Sequence, residues 1–143
     1  MSSAYWNPIM TIRPKLLNLL LFSLFCSAAN AADCLKYEPD TVALSGTLHR
    51  ATFPGRPNFE SIADGDEAET GFYLTLKQAI CTQGNGDPER EPHKAVREIQ
   101  LVLTPAQYAS LRSQLGKQVQ LRGKMFSSFT GHHHADVLLR VAP

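Results

Sequence analysis

Three consecutive histidines, His132, His133 and His134, lie in the stretch "TGHHHADVLL" (residues 130–139), directly ahead of an apolar run. A second polar stretch, residues 58–69, contains acidic residues and no basic one; its acids are Glu60, Asp64, Asp66, Glu67 and Glu69. Imidazole and carboxylate groups are the usual ligands of Zn²⁺ and similar divalent ions. The same two groups also form hydrogen-bonded pairs that hold one loop against another.

The spacing of the histidines separates their roles. In an extended segment alternate side chains point the same way, so His132 and His134 share a face and His133 points opposite. Three interpretations follow: contact of His132 or His134 with a carboxylate of Asp64, Asp66 or Glu67, a divalent metal site, or an exposed recognition surface. We predict a metal set, if a metal binds, of His132, His134 and Asp66, with Asp64 as a further option. The predicted binding residues are His132, His133, His134, Asp64, Asp66 and Glu67.

Catalytic motifs are not evident near these histidines. An enzyme of the covalent type needs a nucleophile, a base and a group that orients the base. Ser127, Ser128 and Thr130 stand close in sequence, but no nucleophile-elbow pattern surrounds them. The stretch "GDEAE" (residues 65–69) lacks the regular oxygen-ligand spacing of a calcium loop. We therefore expect no catalytic residues and a protein that is not an enzyme.

The amino-terminal stretch has the features of a secretory signal peptide. Arg13 and Lys15 precede an apolar run, residues 16–26, and Ala29-Asn30-Ala31 supplies the small residues of a cleavage site. The apolar run is shorter than the roughly 20 residues that a membrane span requires. The sequence therefore predicts a signal peptide at 1–31, a single domain at 32–143, a periplasmic or secreted location, and no membrane anchor after cleavage.

Cleavage at this point determines the cysteine count and the charge. Cys34 and Cys81 remain, and two cysteines in an exported domain predict one disulfide. The 14 basic residues of the whole chain lose two members, so they no longer outnumber the 13 acids. A slightly negative domain has no general attraction to nucleic acid or anionic lipid, and we expect neither as a partner. We expect the domain to be a monomer.

Hydrophobic periodicity predicts five strands and one helix. Alternating apolar residues mark strands within 41–53, 71–82, 95–104, 117–126 and 135–142. Thr104, Pro105 and Gln107 form a capping-box start for a helix that ends at Gly116. The order β-β-β-α-β-β predicts a mainly β, OB-fold-like barrel. We expect Leu111 and Leu115 to cover one barrel end, above a core formed by Val42, Leu44, Leu48, Leu74, Leu76, Ile99, Leu101, Leu121, Val137 and Leu139.

The predicted fold places the two polar stretches together. In an OB fold the loop between the first two strands and the loop between the last two flank the binding face. The acidic stretch follows the first predicted strand, and the histidines precede the last one. We therefore expect these loops to approach each other at one end of the barrel.

Several stretches resemble a known family. The matching runs are "CLKYEPDTVALSGTL" (34–48), "FPGRPNFESIADGD" (53–66), "LRSQLGKQVQLRGKMF" (111–126) and "TGHHHADVLL" (130–139). They resemble a family of small bacterial exported domains catalogued as domain of unknown function 4431. The resemblance implies an exported domain with a cysteine pair, and it implies no activity. Such domains also resemble companions of lysozyme-inhibitor-like modules in longer chains.

Together these features predict an exported, non-enzymatic module that binds a protein or a cell-envelope component. A lysozyme-inhibitor-like role is one example of such a function. The alternative is a divalent-metal-binding protein or a metal-dependent enzyme that uses His132 and His134, with Zn²⁺ as the natural candidate.

Overall fold

Alternating apolar side chains build the five barrel strands that the sequence predicts, and the structure adds a separate pair of two-residue strands that the sequence does not predict. The computed structural model describes Met1, residues 33–87 and residues 90–143. The predicted signal peptide therefore lies outside the described residues, Met1 excepted. The strands are β1 (Leu35–Lys36), β2 (Val42–Pro54), β3 (Ala68–Ile80), β4 (Thr82–Gln83), β5 (Val96–Val102), β6 (Gln118–Ser127) and β7 (Val137–Val141).

Five of these strands form a closed barrel in the order β2-β3-β5-β7-β6, with β6 pairing back onto β2. The β5–β7 pair is parallel, and the other four pairs are antiparallel. The helix α1 (Pro105–Leu111) lies between the third and fourth barrel strands. The predicted mainly β fold is confirmed, with the difference that the barrel is closed.

The helix begins as its sequence predicts. The Gln107 backbone N–H donates to Thr104 Oγ1, and the Thr104 N–H donates to Gln107 Oε1, which completes the capping box. A short 3-10 turn, Arg112–Gln114, follows α1. Within the part of the chain that the structure describes, no helix is long and apolar enough to cross a membrane.

The interior of the barrel holds most of the predicted core. The buried members are Leu44, Leu48, Leu74, Leu76, Ile99, Leu101, Val137 and Leu139. Val42 and Leu121 are only half-buried, although they pack against this cluster together with Leu111 and Leu115. Gly123 is required inside β6 because a Cβ there would collide with the Arg140 carbonyl of β7.

A disulfide joins Cys34 and Cys81, as predicted, with a Cα–Cα distance of 4.7 Å. It lies next to the short parallel pair of β1 and β4. For a loop of this length a disulfide stabilises the fold by about 4 kcal/mol, mainly by restricting the unfolded chain.

Candidate functional site

A second buried cluster lies on the outer face of the barrel. Strand pairing aligns five residues in one row across this face, in the order His49, Tyr73, Gln100, Leu138 and Phe126. Tyr73, Leu138 and Phe126 are 2%, 0% and 7% exposed. Outward-facing residues of a single-layer barrel reach such burial only where another segment covers them.

The covering segment is the loop between β6 and β7, residues 128–136, which we call the histidine loop. The His134 ring stacks on Phe53, with 4.7 Å between centroids. The His133 ring meets Phe126 and Phe129 edge-on, at 5.6 Å and 4.6 Å. These contacts leave His133 on the opposite side from His132 and His134, as the alternation predicts.

Gln100 holds the backbone of the histidine loop against the barrel. Its Nε2 donates to the His132 carbonyl at 2.9 Å, and its Oε1 accepts from the His134 N–H at 2.6 Å. A single outward side chain of β5 thus satisfies two backbone groups of the loop, which fixes its position over Tyr73 and Leu138.

One carboxylate binds two of the three histidines. His132 Nδ1 lies 2.5 Å from Glu69 Oε1, and His134 Nε2 lies 3.0 Å from Glu69 Oε2. The His132 side chain is 50% exposed, Glu69 is 26% exposed and His134 is 11% exposed. The structure therefore places the histidine pair on Glu69, at the start of β3, whereas the sequence pointed to Asp64, Asp66 or Glu67.

Asp66 is occupied within its own loop. Its carboxylate accepts backbone N–H groups from Asn58, Glu60 and Ser61 at 2.7–2.9 Å. These hydrogen bonds, with Ser61 contributing most, lower the pKa of Asp66 below its ordinary value. In the described residues the histidines contact neither Asp66 nor the exposed Asp64 and Glu67.

The two loops do approach each other, through an aromatic contact. The Phe59 ring of the acidic loop meets the His132 ring edge-on, with 5.0 Å between centroids. A Cβ at position 131 would lie 2.9 Å from the same ring, so Gly131 allows the approach. The predicted juxtaposition thus rests on Phe59 rather than on the loop carboxylates.

The cluster shifts the pKa values of its members. Burial acts to raise the pKa of Glu69, but hydrogen bonds from His134 and His132, together with their charge, lower it overall. Burial lowers the pKa of His133, and the charges of His132 and His134 lower it further. Burial also raises the pKa of Tyr73 to about 12, with smaller contributions from Tyr108, Glu69 and Glu98.

A groove opens beside the Glu69 contacts. It has a volume of about 230 Å³ and is lined by Glu69, Thr70, Gly71, Tyr73, Gln100, Tyr108, His132 and His134. Gly71 keeps the groove open, since a side chain there would begin 3.5 Å from the Tyr73 hydroxyl. In OB-fold proteins the corresponding face of the barrel and its two flanking loops bind ligands.

Among the described residues, no three His, Cys, Asp or Glu side chains are grouped so as to hold a metal ion.

The sequence pattern indicates the histidines as site residues but does not indicate most of the residues around them. Tyr73 and Gln100 directly precede or follow the predicted core residues Leu74 and Ile99, so the strand pattern puts them on the opposite face and does not mark them as site residues. Glu69 was one of five acids in its stretch, and its place on β3 distinguishes it from the others. Nothing in the sequence distinguishes Phe59, which contacts His132, or Tyr108, which lines the groove, from a core residue.

The fold and groove define a small barrel domain with a candidate binding face. Residues 98–142 match the family described as a domain of unknown function (DUF4431), and the chain carries a domain of this family over that stretch. The stretch includes Gln100, α1 and the histidine loop, whereas Glu69 and the resembling runs at 34–48 and 53–66 precede it. No curated protein and no solved structure was found to match the chain.

Proposed function

We propose that the chain is an exported, non-enzymatic binding module that recognises a component of the cell envelope in the groove beside Glu69. This proposal rests on the side-chain hydroxyls of two tyrosines. Tyr73 and Tyr108 line the groove, and within the described residues neither hydroxyl has a hydrogen-bond partner. Groups that are able to donate and accept, next to aromatic rings, suit a ligand rich in hydroxyl and amide groups.

The charge of the groove supports this class of ligand over nucleic acid. Glu69 places a carboxylate in the groove wall, and its hydrogen bonds with His134 and His132 lower its pKa and so favour the ionised form. A phosphate backbone requires positive charge along its path. Saccharides are the other ligands that OB folds bind on this face.

The arrangement of nucleophiles supports binding rather than catalysis. Ser127 Oγ lies 3.1 Å from His93 Nε2, the spacing of a nucleophile and its base. Ser127 is 2% exposed and does not line the groove, and Tyr37 and Thr82 share its buried polar cluster. This pair has the position of a structural contact.

A titration of the ¹⁵N-labelled protein with soluble muropeptides tests the proposal. We expect amide shifts in residues 69–73, at Gln100 and in residues 130–134. Tyr73→Phe and Tyr108→Phe each remove only a hydroxyl and should weaken binding by about twofold to tenfold, the size of one neutral hydrogen bond. Gln120→Ala, on the exposed side of β6, serves as the control. Shifts confined to another surface, or none at saturating muropeptide, would contradict the proposal.

The alternative predicted from the sequence is a divalent metal. His132 Nδ1 and His134 Nε2 contact the two oxygens of Glu69, but the described residues contain no group of three ligands arranged to hold a metal ion. The three side chains supply ligand types that suit Zn²⁺, with Glu69 in the place predicted for Asp66. Calorimetric titration of untagged protein with Zn²⁺ separates the candidates. A metal protein should bind more tightly as pH rises and lose binding in Glu69→Gln, since the ligands must be deprotonated. Absence of uptake would eliminate this candidate.

A further inference from the structure

A second cavity adjoins the groove. It has a volume of about 230 Å³ and is lined by Arg50, Thr70, Phe72, Tyr108, Arg112 and Leu115. Thr70 and Tyr108 line both hollows, so the two form one continuous surface. The Tyr108 ring, which meets Phe72 edge-on at 5.0 Å, stands between them.

Two arginines, Arg50 and Arg112, place positive charge in the lining of this cavity. Arg50 lies on β2, two residues beyond the fully buried Leu48, and Arg112 follows the end of α1. In the described part of the chain neither guanidinium pairs with a carboxylate; the basic residues of the ion pairs there are His49, His132, His134 and Arg140. Both side chains are exposed, so each guanidinium is accessible from solvent, and two guanidinium groups that line one cavity suit an anionic ligand.

The rest of the ligand is inferred from the other residues that line the cavity and the adjoining groove. Phe72, Tyr108 and Leu115 offer an aromatic and aliphatic surface, and Thr70 adds a hydroxyl. On the other side of Tyr108 are the Tyr73 hydroxyl, the Glu69 carboxylate and the half-exposed His132. A ring with hydroxyl and amide groups fits that side, and an acidic substituent fits the arginine side.

We propose that the ligand is a saccharide that carries a carboxylate, with the sugar ring in the Tyr73 groove and the carboxylate between Arg50 and Arg112. This inference rests on the proposed function and narrows its ligand class. Arginine binds carboxylate through two parallel N–H···O contacts, which gives orientation as well as charge. The same pair accepts phosphate, so the test has to separate these anions.

The test compares three probes by NMR titration of the purified protein. N-acetylmuramic acid and N-acetylglucosamine share the ring and the N-acetyl group and differ by a carboxylate-bearing substituent; inorganic phosphate is the third probe. We expect the acidic sugar to bind at least about tenfold more tightly than the neutral one, the size of a charged hydrogen bond. Arg50→Gln and Arg112→Gln should remove that difference. Arg122→Gln, an exposed arginine of β6 outside both hollows, is the matched control and should retain it.

Each outcome decides between the two proposals. Equal affinity for both sugars, or an acidic-sugar preference that survives in Arg50→Gln and Arg112→Gln, would overturn the carboxylate inference. Phosphate that binds as tightly as the acidic sugar would show a general anion site and overturn it too. If the neutral sugar still binds and Tyr73→Phe weakens it, the proposed function stands without the inference. If neither sugar nor muropeptide binds, both fail. Melting curves of the arginine variants should stay close to wild type, since neither side chain has a partner to lose.

Discussion

Leu138 and Leu139 are neighbours on β7, they point to opposite faces, and both are 0% exposed. Leu139 faces the barrel interior, where it belongs to a cluster of apolar residues from all five barrel strands. Leu138 faces outward and is buried with Tyr73 and Phe126 beneath the histidine loop. The barrel thus has an inner core made by its strands and an outer core completed by a loop. The outer core is the one that borders the groove.

Substituting the two leucines should change the free energy of unfolding most, and it tests whether the outer core stabilises the fold as the inner core does. Leu139→Ala and Leu138→Ala should each lower the free energy of unfolding by about 2–5 kcal/mol, because both remove fully buried methyl groups. Urea melts of the two variants measure this. Leu121→Ala, at a half-buried position, should cost less than either. A loss at Leu138 no larger than that at Leu121 would mean that the loop does not seal the outer face.

A smaller effect should follow from Glu69, which together with Gln100 holds the histidine loop over the outer core. Glu69→Gln should lower the free energy of unfolding by about 1–2 kcal/mol near neutral pH, since two contacts to imidazoles lose their charge. The control is Glu98→Gln. Glu98 also contacts a histidine, His49, but the two side chains are 43% and 38% exposed, so the loss should be below about 1 kcal/mol.

Because the pKa of Glu69 is lowered, the stability that Glu69 contributes should depend on pH in the acid range. The unfolded chain takes up the proton at the ordinary value of 4.5, and the folded chain does so at a lower pH. The stability from Glu69 is therefore present above pH 4.5 and is lost as pH falls through the folded pKa. Wild type should lose this contribution on acidification, whereas Glu69→Gln has none to lose; parallel acid profiles would contradict the assignment.

The smallest effect concerns His133, the histidine that faces away from Glu69. Its pKa is lowered by burial, so the unfolded chain binds its proton first as pH falls below the ordinary value of 6.5. The stability that neutral His133 contributes is present above that pH and fades as pH falls through the folded pKa. His133→Gln should show a shallower decline between pH 7 and pH 5 than wild type in thermal melts. An unchanged dependence of stability on pH would indicate that the His133 ring is exposed to solvent.

The inner core could be predicted from the sequence because burial there follows a period of two along each strand. Leu74 and Ile99 show the pattern, and Thr104 with Gln107 marks the helix in the same local way. The outer core has no such period. Leu138 and Phe126 are buried only because a loop folds back over them, and that contact depends on Gln100.

The same reason explains what the sequence revealed of the candidate site. Alternation separates His133 from His132 and His134, because it depends only on neighbouring residues. Which acid contacts His132 and His134 depends instead on how distant parts of the chain fold together. Asp66 satisfies backbone groups of its own loop, which leaves Glu69, on a rigid strand, as the acid that reaches both rings.

The contact that holds the histidine loop on the barrel can be measured by a double-mutant cycle between Glu69→Gln and His134→Gln. We expect Glu69 to hold the loop without a metal. Unfolding in urea at pH 6 gives the free energies of wild type, both single variants and the double variant, with and without a chelator. Contacting residues in one network couple by about 0.5–3 kcal/mol. We predict a stabilising coupling of about 1 kcal/mol that the chelator leaves unchanged. Additive effects of the two substitutions would contradict the contact, and a coupling that disappears with the chelator would show that a metal joins the residues.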